Sequence, residues 1–517
     1  MSIKSFIDKH MEVHKAVFFV SVALIFIFII GTLTNLDQAK SVFDAARNGV
    51  THYFGWFLIL CVQIFLLFSV YLALSRFRYV RIGGKDAKPA HSFLSWLAML
   101  FSAGMGIGLM FWAVAEPVTH FAKPPRGEAQ TLEAASQAMD ITFLHWGLHA
   151  WGIYALVGLS LAYFTFNRGL PLSMRSLFYP ILKERIHGFW GNLVDIIAVV
   201  ATLFGVATSL GLGVDQVNAG LHHVVGLPQS PMMKIILIAL ITAAATASVV
   251  SGLDKGIKRL SELNLLAAAI LLMFVIALGP TLFIMKSFVQ STGHYLQNII
   301  SLSSWSQAYA QTTDWQSTWT VFYWAWWIGW SPFVGVFIAR ISKGRTIKEF
   351  VLGVLLVPSA MTFLWMSGFG GNGLWQAING DGGLIEIVGN DYAMSLFAML
   401  ESLPWSTITS FLAVFLVVIF FVTSSDSGSL VIDMLTSGGN LNPPKAQRVF
   451  WAVLEGVVAA TLMVGGGLKA LQAAAISTGL PFTLVVLIGG ICLYIALKQD
   501  YSTKHSHPKL QEDSPHV

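Results

Sequence analysis

Charge is scarce in this chain of 517 residues: Asp, Glu, Lys and Arg make up 11% of it, against 55% hydrophobic residues. A water-soluble domain carries about 25% charged residues, so most of this surface is not built to face water. Cysteine is nearly absent. Cys61 and Cys492 both lie inside apolar runs, which argues against a disulfide framework or a thiolate metal site. No P-loop signature occurs, which argues against an ATP-driven pump. The N-terminal MSIKSFIDKHMEVHK lacks the small-residue cleavage site of a secretory signal, so the first apolar run is read as a retained span.

What remains is a series of apolar runs of about 20 residues, each long enough to cross a bilayer as a helix. Twelve spans are predicted, near 16–34, 52–74, 92–114, 139–166, 191–221, 232–252, 263–285, 318–340, 349–370, 407–434, 447–466 and 473–497. With both termini cytoplasmic, the tails and even-numbered loops hold 24 of the 31 Lys and Arg, as the positive-inside rule requires. The net charge of +5 is thus explained by topology, and no nucleic-acid partner is expected. The segment 286–317 is too polar to span and predicts an amphipathic helix lying on the outer surface.

Two spans carry helix breakers. The third contains Gly104, Met105, Gly106, Ile107 and Gly108, and each glycine weakens a helix by about 1 kcal/mol. The eighth contains Gly329-Trp330-Ser331-Pro332, whose proline removes a backbone hydrogen bond. Paired interrupted helices five spans apart point to an inverted-repeat transporter with its site at mid-membrane. Gly106 is expected to allow close backbone approach to a substrate or ion, and unwound backbone frees carbonyl oxygens for a small cation.

Aromatic residues add a second pattern. At about 100° per residue, Trp146, Trp151 and Tyr154 share one face of the fourth span, and Phe322, Trp326, Trp327 and Trp330 one face of the eighth. Such walls form either a packing seam or a cage for a quaternary ammonium, which cannot donate hydrogen bonds but is attracted to ring faces by about 0.5–2 kcal/mol per contact. In the tenth span, Thr423, Ser424 and Asp426 offer oxygens to a hard cation; hydroxyls bonded back to the preceding turn are the alternative. Of the acidic residues within or near spans, Glu116, Asp195, Asp215, Asp426, Asp433 and Glu455, Asp426 lies deepest. His145 and His149 have metal-ligand spacing, but no third ligand is evident and both are expected to point away from the aromatic face.

The strings GMGIGLMFWAVAEPVTHF (104–121), HWGLHAWGIYA (145–155), ATLFGVATSLGLG (201–213), WTVFYWAWWIGWSPFVGVFIARISKGRTIKEF (319–350) and FVTSSDSGS (421–429) resemble the betaine/carnitine/choline transporter family. The resemblance implies an all-α membrane protein of twelve helices with two inverted five-helix repeats, spans 3–7 and 8–12. The chain then divides into a cytoplasmic tail (1–15), two additional helices and a basic loop (16–91), a first repeat (92–285), the external helix (286–317), a second repeat (318–497) and a short cytoplasmic tail (498–517). It implies a substrate box of Trp146, Trp151, Tyr154, Phe322, Trp326, Trp327 and Trp330 beside Gly104, Gly106 and Gly108. It implies a sodium site between Ala103 and Met105 on span three and Phe420, Thr423 and Ser424 on span ten. The family's second sodium site falls here on Thr202, Val206 and Phe333, where a valine replaces the second threonine. A homotrimer in the bacterial cytoplasmic (inner) membrane is implied as well.

The function expected is secondary active import of glycine betaine or a related trimethylammonium osmolyte by Na⁺ symport, not catalysis. The alternatives are a choline or carnitine carrier, proton-coupled instead, and an integral-membrane metal-dependent enzyme using His145, His149 and Asp426.

Overall fold

A backbone in hydrocarbon must satisfy its hydrogen bonds within the segment, so apolar runs become helices. The computed structural model describes residues 11–104, 106–251, 254–309 and 315–505, and among them there is no strand, only an isolated bridge between Arg81 and Thr346. The principal helices are α1 (Lys15–Thr34), α2 (Leu36–Leu74), α3 (Phe93–Gly104), α4 (Ile107–Ala122), α5 (Leu132–Trp146), α6 (Leu148–Phe166), α7 (Phe189–Val225), α8 (Pro231–Ser251), α9 (Asp254–Leu278), α10 (Thr281–Ser303), α11 (Thr320–Ile341), α12 (Ile347–Asn379), α13 (Gly383–Asn390), α14 (Ser395–Glu401), α15 (Ser406–Thr436), α16 (Lys445–Gly466) and α17 (Leu468–His505). Among the described residues eleven helical stretches are long and apolar enough to cross a membrane, with α5 and α6 counted as one. The broken pair α3–α4 brings the number to the expected twelve.

The third span breaks where the glycines predict. Gly106 precedes α4 with extended backbone (φ −170°, ψ −176°), and α3 ends at Gly104. The fourth span breaks as well, at Gly147. A Cβ on Gly147 would lie 2.5 Å from the Phe143 carbonyl and 2.7 Å from the Phe363 ring. The eighth span corrects the expectation: α11 runs unbroken through Pro332. The proline cannot donate to the carbonyl of Ile328, but the Ser331 hydroxyl does so at 2.7 Å and removes the penalty of an orphaned acceptor. The amphipathic segment is helical as α10, and Gly279-Pro280 separates it from α9.

Burial sorts the helices. The apolar window of α5–α6 is 94% buried and that of α11 83%, against 33% for α1, α8 and α9. The central bundle therefore contains α6 and α11, while α1, α8 and α9 present most of their apolar surface outward. Small residues let the inner helices touch by backbone. A Cβ on Gly205 of α7 would sit 3.0 Å from the Gly329 carbonyl carbon of α11, and one on Gly329 3.1 Å from the Ala201 oxygen.

The even-numbered loops meet at one end. Arg81 donates to the Gly344 carbonyl at 2.5 Å, Gly83 N–H to Asn167 Oδ1 at 2.8 Å, and Arg168 pairs with Asp500 at 2.9 Å. At the same end His14 N–H donates to the Thr436 carbonyl at 2.8 Å. Below them Arg175 and Asp195 form a buried pair at 2.5 Å, with side chains 4% and 0% exposed. The basic residues of these loops are thus collected on one face of the molecule, which is the arrangement the positive-inside pattern demands.

Candidate substrate site

The walls of the site are aromatic because three helices turn rings toward one point. A cavity of about 50 Å³ is lined by Gly106, Gly108 and Leu109 around the start of α4, Trp146 at the end of α5, Trp151 and Tyr154 on α6, Ser209 on α7, and Trp326, Trp327 and Trp330 on α11. No lining residue is charged. Trp326 and Trp327 stack nearly parallel, 4.7 Å between centroids and 12° between planes. Trp146 meets Trp327 edge-on at 4.9 Å and 74°, and Tyr154 meets it at 6.3 Å and 75°. Parallel and perpendicular faces around one space present several ring quadrupoles to a cation at once.

The indole N–H groups of α11 are tied to other helices. Trp326 donates to Ser209 Oγ at 3.2 Å, Trp327 to the His145 carbonyl at 2.8 Å, and Trp330 to the Gly205 carbonyl at 2.9 Å. The cavity is therefore faced largely with carbon, which suits an onium head. Gly108 supplies the room: a Cβ there would lie 2.8 Å from Trp326 Cη2 and 2.9 Å from Trp146 Cη2. Gly106 lines the same cavity, yet a Cβ on it would meet nothing within 4 Å. The tight packing of the protein against itself is thus at Gly108, while Gly106 opens onto the cavity.

Six of the seven expected box residues line the cavity. Phe322 does not; it stacks on Trp326 from behind, 5.4 Å away at 13°. The glycine Gly104 and the alanine Ala103 are the last residues of α3, and Met105 lies outside the described residues, as do the tails 1–10 and 506–517.

A larger cavity of about 480 Å³ adjoins the box. Ser102, Phe333, Phe420, Thr423 and Ser424 line it, and Trp330 lines both spaces. The Thr423 hydroxyl bonds back to the Ile419 carbonyl at 2.9 Å, and the Thr202 hydroxyl to the Ala198 carbonyl at 2.7 Å; in each the oxygen keeps lone-pair capacity. Val206 is fully buried and packs toward Gly428. Asp426 is held by Arg448 at 2.7 Å.

These features agree with the sequence comparisons. The model of a family described as betaine/carnitine/choline family transporter matches residues 16–502. The chain belongs to the betaine/carnitine/choline transporter family. Similar proteins include a glycine betaine/proline/choline transporter of Vibrio parahaemolyticus, 45% identical with 95% of this chain and 91% of that one aligned. A glycine betaine transporter of the same organism is 47% identical over 95% and 94%, and one of Bacillus subtilis is 42% identical over 97% and 98%. The family and these relatives are transporters, so the chain is a multi-pass membrane transporter of a bacterial family and the enzyme alternative falls away.

Within this family member, sequence reasoning missed what stands behind the box. Glu116, His120 and His145 form a fully buried cluster. His145 does not line the cavity; behind the wall its ring stacks on Tyr323 at 4.5 Å and 20°, and it contacts Glu116 Oε1 at 2.6 Å and Thr320 Oγ1 at 2.9 Å. His149 faces Gln63 at 3.1 Å. The signal available in the sequence was the Glu116/His120 spacing of one helical turn, but its third member comes from another helix.

Proposed function

We propose that this protein imports glycine betaine or a related trimethylammonium osmolyte by Na⁺ symport. The observation that carries the reading is the uncharged cavity walled by Trp146, Trp151, Tyr154, Trp326, Trp327 and Trp330. A trimethylammonium group offers no N–H and spreads its charge over methyl groups, so ring faces attract it where hydrogen-bond acceptors would not. Relatives named as glycine betaine transporters support the same choice. A choline carrier is the second reading, favoured by the relative whose name includes choline.

For the coupling ion, the hydroxyls of Thr423 and Ser424 beside Ser102 at the end of α3 support a sodium site, with Ala103, Met105 and Phe420 contributing backbone oxygens. Sodium is a hard cation that takes oxygen ligands. Thr202 and Phe333 have no hydroxyl partner at Val206, so a second site is weak or lost. The basic end formed by the even-numbered loops is assigned to the cytoplasm of a bacterial inner membrane, with both termini there. A homotrimer with α10 near its contacts is supported by the exposed Leu282, Val289 and Ile300 along that helix.

The test is uptake into a strain lacking osmolyte transport, with betaine, choline, carnitine, dimethylsulfoniopropionate and ectoine in competition. Sodium is varied at constant ionic strength, with and without an imposed proton gradient. Betaine competes best and uptake rises with sodium if the reading is right. Uptake that ignores sodium and follows the proton gradient overturns the symport, and no onium uptake overturns the whole.

A further inference from the structure

The cage has no charge of its own sign-partner in its lining, yet a quaternary cation in low dielectric needs one. Directly behind the wall lies Glu116, fully buried on α4. Its Oε2 accepts the Trp146 indole N–H at 2.8 Å and the Tyr323 hydroxyl at 2.5 Å. Its Oε1 faces His145 Nδ1 at 2.6 Å and lies 3.5 Å from His120 Nε2. The indole can only donate, and the pattern is closed when Tyr323 and His145 Nδ1 donate too, with Thr320 donating to His145 Nε2. Three donors and no acceptor converging on one carboxyl is the setting of an ionised, acceptor-only group.

We propose that Glu116 is the positioning residue and the counter-charge of the aromatic cage, and so sets its preference between net-cationic and zwitterionic onium substrates. One carboxylate on α4 joins α5 and α11, two of the helices that build the walls. Trp146 at the end of α5 is a wall; Tyr323 on α11 packs 5.6 Å from Trp146 and 6.0 Å from Trp327; the peptide carbonyl of His145, whose ring Glu116 holds, receives the Trp327 indole. Glu116 touches no lining space itself, so it acts through Trp146 and Tyr323. Its field reaches the cavity because it is fully buried against the wall residue Trp146, and no lysine or arginine is paired with it among the described residues.

The assignment rests on the betaine-class reading, and the experiment separates the two. Purified protein is titrated with glycine betaine and with choline, followed by tryptophan fluorescence. Glu116→Gln keeps the size and an acceptor but removes the charge. Choline affinity is expected to fall on the order of tenfold more than betaine affinity, because betaine brings its own carboxylate. Glu116→Asp keeps the charge on a shorter arm; it loses affinity for both ligands but retains the wild-type choline-to-betaine ratio. Tyr323→Phe removes one donor while leaving the charge, and weakens both ligands by a similar factor. An unchanged ratio in Glu116→Gln, or a changed one in Glu116→Asp where the Gln variant does not fold, overturns the counter-charge. Unaltered binding in Tyr323→Phe overturns the positioning. Wild-type protein that binds neither ligand overturns the betaine-class reading itself.

Discussion

Substituting alanine for Gly108 adds one methyl group where two indoles leave no space. The added carbon would lie 2.8 Å from Trp326 and 2.9 Å from Trp146, closer than carbon atoms pack by roughly 0.7–1 Å given optimal separations near 3.5–4.0 Å. Neither ring can retreat freely. Trp326 is held between Phe322 and Trp327 and by its bond to Ser209; Trp146 is held by Glu116. Overpacking of this kind costs about 1–3 kcal/mol. If the strain is relieved by displacing the cage walls, betaine affinity drops roughly 5- to 150-fold. Helix propensity works the other way, favouring alanine by up to about 1 kcal/mol, so global stability changes less than affinity does. Gly106→Ala is the control: its methyl meets no protein atom within 4 Å, and its extended backbone accepts any residue. The assay is equilibrium titration of both variants with betaine, alongside thermal melting. Gly108→Ala is expected to melt near wild type and bind weakly, with Gly106→Ala retaining the higher affinity of the two. Wild-type affinity in Gly108→Ala would refute the reasoning, since the rings would then have to be free to move.

Other outcomes follow from the same geometry. Trp326→Leu keeps apolar bulk but removes a ring face, and betaine affinity should fall roughly 5- to 30-fold, for a contact of about 1–2 kcal/mol; the uncharged carbon isostere of betaine should bind poorly to wild type, and equal binding of the two would remove the case for a cation cage. Changing Thr423 and Ser424 together to alanine should raise the sodium concentration for half-maximal uptake by about an order of magnitude, because lost oxygens leave a desolvated ion under-coordinated; an unchanged sodium curve would discard this site. Arg175→Ala strands the Asp195 carboxylate, which also accepts the Ser173 hydroxyl at 2.7 Å. Breaking such a buried pair costs about 3–5 kcal/mol, so the melting temperature and folded yield should drop with betaine affinity unaffected in the folded fraction.

The aromatic walls were legible in the sequence because the rings cluster on two long apolar spans, although the break at Gly147 means that helical spacing relates them only within α6 and within α11. Phe322 obeys the same spacing but backs Trp326, since periodicity fixes a face and not the distance to the opposite wall. The break at Gly106 was legible from three clustered glycines. The break at Gly147 was not, because a single glycine is a weak signal and one of the atoms crowding that position belongs to Phe363 on another helix. The reverse error at Pro332 has a local origin: the preceding Ser331 hydroxyl replaces the lost donor. Glu116 read as one of several acidic residues near span ends. What distinguishes it are partners 30 and 207 positions away, and a linear pattern does not reveal which helices will meet.

Trp330 lines both the aromatic cavity and the larger space that holds Thr423 and Ser424, and its indole is fastened across the Gly205–Gly329 crossing. A single ring is thus a party wall between two rooms, hinged on the seam of two helices. Were α7 to slide against α11, the Gly205 tether would pull the indole and alter the size of both compartments in one stroke. Filling one room would then change the work needed to fill the other, a mechanical gearing that requires no direct contact between the two occupants.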